Sequence, residues 1–186
     1  SDPLHLLDAC LVTDGGGAVV MTTAEHARAL GRQPIHVRGY GEATTHWTIA
    51  AMPDLTRLTA AEIAGREAFA MAGIGREAID VAEIYDSFTI TVLLTLEALG
   101  FCERGQGGAF VSGQRTAPGG AFALNTNGGG LSYAHPGMYG IFLLIEAVRQ
   151  LRGECGERQV EGARTALVHG TGGTLSSGAT CILSTR

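Results

Sequence analysis

The stretch "VAEIYDSFTITVLLTLEALG", residues 81–100, decides the fold class. Val81 to Ile84 read as a short buried strand, and Asp86 or Ser87 suits the N-cap of a following helix. Residues 88–100 are apolar nearly all round, which predicts a buried helix rather than a surface one. Working outward, the same change of period recurs on both sides. Upstream, "GGAVVMTT" (16–23) is a β-rich apolar run, and "AEHARALG" is a short helix closed by Gly31. "PIHVRGYGEAT" (34–44) alternates like a strand, with Ile35, Val37 and Gly39 on one face. Residues 45–57, which hold the single Trp47, read as irregular. Thr59 and Glu62 have capping-box spacing at the head of a helix. Its stripe of Ile63, Ala64, Glu67, Ala68 and Met71 is narrow enough for close packing.

Downstream, the Gly-rich polar segment 103–120 reads as a long loop, and "GAFALNT" as a strand. "NTNGGGLSYAHPGMYG" (125–140) then leads into a helix that runs to about Leu151. "RTALVHGTGG" and "SGATCILST" end the chain as two strands around a Gly-rich turn. Strands and helices therefore alternate, which predicts an α/β fold with a covered, largely parallel sheet. Ligands of such sheets collect beyond the carboxyl ends of the strands. Three stretches fall there: "YDSF", "NTNGGGLSYAHPGMYG" and "VHGTGG".

These stretches hold the candidate site residues. His135 precedes Pro136, which suits a first helical turn and places the imidazole near a positive helix end. There it either donates to a developing oxyanion or simply caps and packs. Tyr85 ends the buried strand, where a tyrosine more commonly packs its ring and bonds its hydroxyl than moves protons. Tyr139, expected in the first turn after His135, would gain phenolate stability from the same dipole. Tyr133 faces either way, and His169 alone reads as structural. The run "GTGGTLSSG" lacks the lysine and the following helix of a phosphate loop.

Composition removes several classes of function. The 28 glycines lie at element ends without a fixed period, unlike a collagen or a low-complexity chain. A net charge of -5 with no basic block argues against nucleic acid or an anionic membrane as partner. All 13 basic residues are arginine, so a Schiff base on a lysine of this chain is excluded. Cys10, Cys102, Cys155 and Cys181 form no CxxC pair, which fits reduced thiols in the cytoplasm. Cys10, Cys102 and Cys181 read as small core residues rather than nucleophiles, and Cys155 as part of a polar turn after a helix. The six histidines show no metal-ligand spacing, and no apolar run is long enough for a membrane span. The first residues have loop character and no Met, so the chain reads as a fragment or processed product.

"DGGGAVVMTT", "AEIYDSFTITVLLTLEALGFCERGQGGAFV", "NTNGGGLSYAHPG", "AVRQLRGECGERQV" and "ALVHGTGG" together resemble the C-terminal half of the thiolase superfamily. The sterol-carrier-protein-x and lipid-transfer-type branch is the nearest in flavour. The resemblance implies a thiolase-like βαβαβαββ half with a mixed, largely parallel sheet covered by helices. Two such halves stack as an α-β-α-β-α sandwich in a protein that is usually a homodimer. Residues 1–23 would be the tail of the N-terminal half and 24–186 the C-terminal domain, with the loop of the nucleophilic cysteine outside this chain. The family substrate is a coenzyme A thioester, with no cofactor bound in this half; Gly128, Gly129, Gly172 and Gly173 would line its cleft.

In thiolases an Asn or His of an NEAF- or HDCF-like motif joins a GHP histidine in an oxyanion hole, and a cysteine before a Gly-rich turn acts as acid and base. By this resemblance Tyr85 replaces the first, His135 keeps the second and His169 stands near the third. The changes fit retro-aldol cleavage of a β-hydroxyacyl-CoA with a steroid or lipid side chain better than ordinary acyl transfer. Relatives with that activity work with a small zinc-ribbon and OB-fold partner. Tyr85 and Tyr139 are then the expected acid/base pair, with Tyr133 in reserve, and His135 the oxyanion donor. An acetyl-CoA acetyltransferase and a non-catalytic acyl-CoA-binding or lipid-binding subunit are the alternative readings.

Overall fold

A computed structural model describes residues 2–31 and 33–186. Along the chain the helices are α1 (Ala24–Ala29), α2 (Thr59–Ala72), α3 (Thr89–Leu99), α4 (Gly107–Val111), α5 (Gly129–Ser132) and α6 (Gly140–Arg152). The strands are β1 (His36–Thr44), β2 (Val81–Ile84), β3 (Ala123–Leu124), β4 (Thr165–Gly172) and β5 (Ser177–Ser184). They form one five-stranded sheet in the order β1-β5-β4-β2-β3. β2 is parallel to β3 and β4, while β5 is antiparallel to β4 and β1. β5 alone therefore opposes the others, and the sheet is mixed, with two of its four strand pairings parallel and two antiparallel.

Helices cover both faces. On one, Ile84, Leu167 and Ile182 of the sheet pack against Ala68 and Phe69 of α2 and Leu96 and Leu99 of α3. On the other, Val81, Ala166, Val168 and Leu183 pack against Leu143, Ala147 and Leu151 of α6. Each large aliphatic side chain buried this way contributes about 1.5–3 kcal/mol. β1 meets α2 without large side chains. A Cβ on Gly39 would lie 2.2 Å from the Ala68 carbonyl oxygen, and one on Gly41 2.3 Å from that of Ala64. Two strand glycines facing helix alanines thus bring backbone against backbone.

Several local expectations are corrected. The run 16–23 is not a strand: no strand lies beside it among the described residues, and Val20 and Met21 are exposed. A β-prone run gains little without a ladder to join. Val37 is exposed because the register slips between Val37 and Gly39, so Gly39 and Gly41 occupy the inner face. The buried face of α2 is Ala60, Ala61, Ala64, Gly65, Ala68, Phe69 and Ala72; Met71 and Glu67 look outward. Thr59 forms no capping box, since the Glu62 carboxylate accepts the Arg57 guanidinium at 2.7 Å instead. Phe88, rather than Asp86 or Ser87, occupies the N-cap of α3. α3 is buried on one face, through Thr91, Val92, Thr95, Leu96 and Leu99, while Ile90 stays exposed. The segment 103–120 includes the short α4.

Candidate active site at the ends of β2 and β3

β2 ends at Ile84, and the next residue, Tyr85, stays anchored to the sheet by donating its N–H to the His169 carbonyl at 2.9 Å. β3 stops after Leu124, yet the chain remains beside β2. The Asn125 side chain replaces the ladder there, accepting from Ile84 N–H at 2.7 Å and donating to Ile84 O at 2.8 Å. Asn125 also adopts φ 46°, which turns the chain out of the sheet. The following loop is clamped by Asp86, which is 2% exposed. Its carboxylate accepts the N–H groups of Gly130 at 2.6 Å and Leu131 at 3.2 Å. Gly129 must lack a side chain, since a Cβ there would lie 2.0 Å from Asp86 Oδ2. Burial pushes the Asp86 carboxyl pKa up, even though these amides favour the charged form.

The clamp brings two predicted residues together. Tyr85 Oη and His135 Nε2 are 2.7 Å apart, and both side chains are half-buried. Burial raises the Tyr85 pKa, with smaller contributions from Cys10 and Asp86, so the phenol keeps its proton, which it donates to Nε2 in the Nδ1–H tautomer of His135. Behind it, the Tyr139 ring stacks on that of His135 at 6.3 Å and 17°. A segment far away in sequence closes the arrangement. Cys10 N–H bonds Ser87 O at 2.9 Å, Leu11 N–H bonds Gly130 O at 3.0 Å, and His135 N–H bonds Thr13 Oγ1 at 2.9 Å.

Other expectations fail on geometry. His135 and Pro136 lie in the loop before α6, whose first residue is Gly140, rather than in a first helical turn. Tyr139 is fully buried at the N-cap of α6, donating its hydroxyl to Asn127 Oδ1 at 3.1 Å. Burial drives its pKa well up, opposite to the phenolate stabilisation expected from a helix dipole. Tyr133 is 55% exposed, its ring edge-on to Phe142 at 6.5 Å. Gly172 borders an open cavity of about 530 Å3 together with Glu42, Thr44 and Gly178. Gly128 and Gly129 instead shape the turn at positive φ, and Gly173 packs on Ser176.

His169 pairs in register with Ile84, so it shares that residue's face of the sheet, opposite the one that Tyr85 packs against. It is fully buried, with Nδ1 2.8 Å from Thr180 Oγ1 and Nε2 without a partner. Burial lowers its pKa to about 4. The unfolded chain then binds more protons than the folded one between the ordinary histidine value and that value. Stability attributable to His169 is present above about pH 6.5 and is lost as pH falls through about 4, by up to about 3 kcal/mol. Denaturant midpoints measured across this window should fall less steeply in a His169→Gln variant. Equal slopes would remove His169 as their source.

Sequence reasoning missed Thr13, Asp86 as a loop clamp, Asn125 and Asn127. Behind them lies a buried acidic group that it also missed. Thr126 Oγ1 stands 2.8 Å from both Glu83 Oε1 and Glu146 Oε1. Arg158 donates to both Glu146 oxygens, at 2.8 and 3.0 Å. Cys155, expected in a polar turn, is buried with Sγ 3.6 Å from Glu146 Oε1, and burial raises its pKa to about 11. Among the described residues no three His, Cys, Asp or Glu side chains gather as a metal would need. No helix among them is long and apolar enough to cross a membrane.

Comparison with known proteins agrees with this architecture. An acetyl-CoA acetyltransferase of Methanothermobacter thermautotrophicus is 39% identical over 99% of this chain and 48% of its own length. A 17-hydroxy-3-oxo-4-pregnene-20-carboxyl-CoA lyase of Mycobacterium tuberculosis is 36% identical over 96% of this chain and 46% of its own. The solved structure of an Ltp2-ChsH2(DUF35) aldolase superposes with a TM-score of 0.88 at 33% identity, over 99% of this chain and 48% of that one. The chain thus spans about half the length of these relatives. Residues 41–185 match the family described as thiolase C-terminal domain-like, and the chain belongs to that family.

Proposed function

We propose that this chain is the C-terminal part of a thiolase-like enzyme that cleaves a β-hydroxyacyl-CoA by a retro-aldol step. The observation that carries this reading is the 2.7 Å contact between Tyr85 Oη and His135 Nε2 beyond the end of β2. A retro-aldol needs a base for the β-hydroxyl proton without a free phenolate at neutral pH. The Tyr85 oxygen takes that proton while passing its own to His135 Nε2. The Cα–Cβ bond breaks, the β-carbon becomes a carbonyl, and the bonding pair moves into the thioester enolate. The imidazolium returns its proton through Tyr85 to Cα, so the shortened acyl-CoA forms with no net consumption of acid or base. The positive ring, one hydrogen bond away, favours the enolate electrostatically. Tyr139 holds the ring rather than moving protons, and Tyr133 remains the reserve phenol. Gly172, beside the open cavity, is the glycine best placed to border the thioester.

Two relatives support the reading by their names, one a carboxyl-CoA lyase and one an aldolase with two named components. We extend it to a steroid or lipid side chain, a homodimer in the cytoplasm and a zinc-ribbon and OB-fold partner. Residues 1–23 would end an N-terminal half, with 24–186 as the C-terminal domain. Acyl transfer is the second reading, favoured by 39% identity to an acetyltransferase and by the histidine of "AHPG". The full-length protein, with its partner, should release a ketone and a shortened acyl-CoA from a β-hydroxyacyl-CoA. Two acyl-CoA products from a β-ketoacyl-CoA plus coenzyme A would establish acyl transfer instead. Tight acyl-CoA binding without turnover of either substrate would make it a binding subunit.

A further inference from the structure

The buried acidic group behind the site is short of one proton unless a carboxyl supplies it. Thr126 Oγ1 has a single hydrogen, yet two carboxyl oxygens lie 2.8 Å from it, and Gln150 Nε2 lies 2.9 Å away as a further donor. One hydroxyl cannot donate to two carboxylates, so one of the pair must donate to Thr126. Glu146 carries the charge, because Arg158 grips both of its oxygens. Glu83 is fully buried and its Oε2 has no partner, an arrangement that an acid tolerates and an anion does not.

We propose that Glu83 is a neutral carboxylic acid that donates through Thr126 to the Glu146 carboxylate, and that this shared proton positions the Tyr85–His135 pair. The linkage is structural. Glu83 lies two residues before Tyr85 on β2, while Thr126 stands between Asn125, which holds Ile84, and Asn127. Asn127 in turn accepts from Gly129 N–H and from the hydroxyl of Tyr139, on which the His135 ring stacks. The charged and titratable groups around Glu83 are Glu146 on α6, Tyr139 at the N-cap of α6 and Asp86 beyond its own strand; Arg158 is engaged by Glu146. Burial first, then Glu146 and Asp86, raise the Glu83 pKa to about 8, against hydrogen bonds from Thr126 that lower it. Loss of the proton would leave two carboxylates competing for one hydroxyl.

The positioning role rests on the proposed Tyr85–His135 chemistry, whereas the proton itself can be read without turnover. In the full-length protein, infrared difference spectra should show a protonated-carboxyl band at pH 7 that disappears as pH rises through about 8 and is absent from Glu83→Gln. Opening of the 125–135 loop frees Glu83 to ionise. Hydrogen exchange there should therefore gain about tenfold per pH unit beyond intrinsic catalysis, from about pH 5 to 8, in the wild type but not in Glu83→Gln. Glu146→Gln, by removing a repelling charge, should move the loss of the band to lower pH. Persistence of the band in Glu83→Gln would overturn the proton assignment. Identical exchange profiles in wild type and Glu83→Gln would overturn the positioning role, whether or not a substrate turns over.

Discussion

Tyr85→Phe is expected to lower kcat for β-hydroxyacyl-CoA cleavage by about 10²–10⁴-fold, the usual contribution of a positioned acid or base. The substitution removes one oxygen and leaves the ring packed against the core on the α6 side of the sheet. The oxygen lost is the one 2.7 Å from His135 Nε2. Because that hydroxyl changes its bonding only as the β-hydroxyl proton moves, KM should change little, the pattern of an interaction made in the transition state. His135→Ala should cost a similar factor. Since the proton passes through both groups in sequence, the double variant should be scarcely worse than either single one. Full kcat in Tyr85→Phe would sink the relay, and additive losses in the double variant would separate the two residues into independent roles.

How much of this could be read in the sequence follows the range of each interaction. The β2 strand and the β4–β5 hairpin were legible because a short apolar run and a Gly-rich turn are local signals. Tyr85 and His135 were legible as candidates because each follows the end of an element, and 50 residues of intervening chain do not obscure that position. Their partners were not. Thr13 meets His135 across 122 positions, and nothing in "LVTDGGG" announces an acceptor for a distant N–H. Asn125 looks like a turn residue, yet its amide serves as a piece of β-ladder. The face of α2 was misread because alanine and glycine pack by smallness rather than by hydrophobicity, and the stripe of larger residues drew attention outward. That His169, read from the residues alone as structural, lies on the sheet face away from Tyr85 was not legible, because alternation fixes its face only once its register with Ile84 is known.

Asp86→Ala should show how far the chemistry depends on a residue that need never touch substrate. The carboxylate is buried and spends both oxygens on the N–H groups of Gly130 and Leu131. Alanine leaves those two amides without an acceptor in a space too enclosed for easy rehydration. Each such orphan costs about 1–3 kcal/mol, so a loss of about 2–6 kcal/mol in stability is expected. Part of that loss can be relieved only by letting the loop move, and that loop carries His135. The kcat of the surviving folded enzyme should therefore fall as well, toward the value for His135→Ala. Asp86→Asn keeps one acceptor oxygen but turns an NH2 group toward the second amide, so it should lie between wild type and alanine in both respects. Urea midpoints and kcat measured on the same preparations test this directly. An Asp86→Ala protein with wild-type midpoint and wild-type kcat would show that the loop holds His135 without its clamp, and the segment from Cys10 to Thr13 would then have to supply the anchorage.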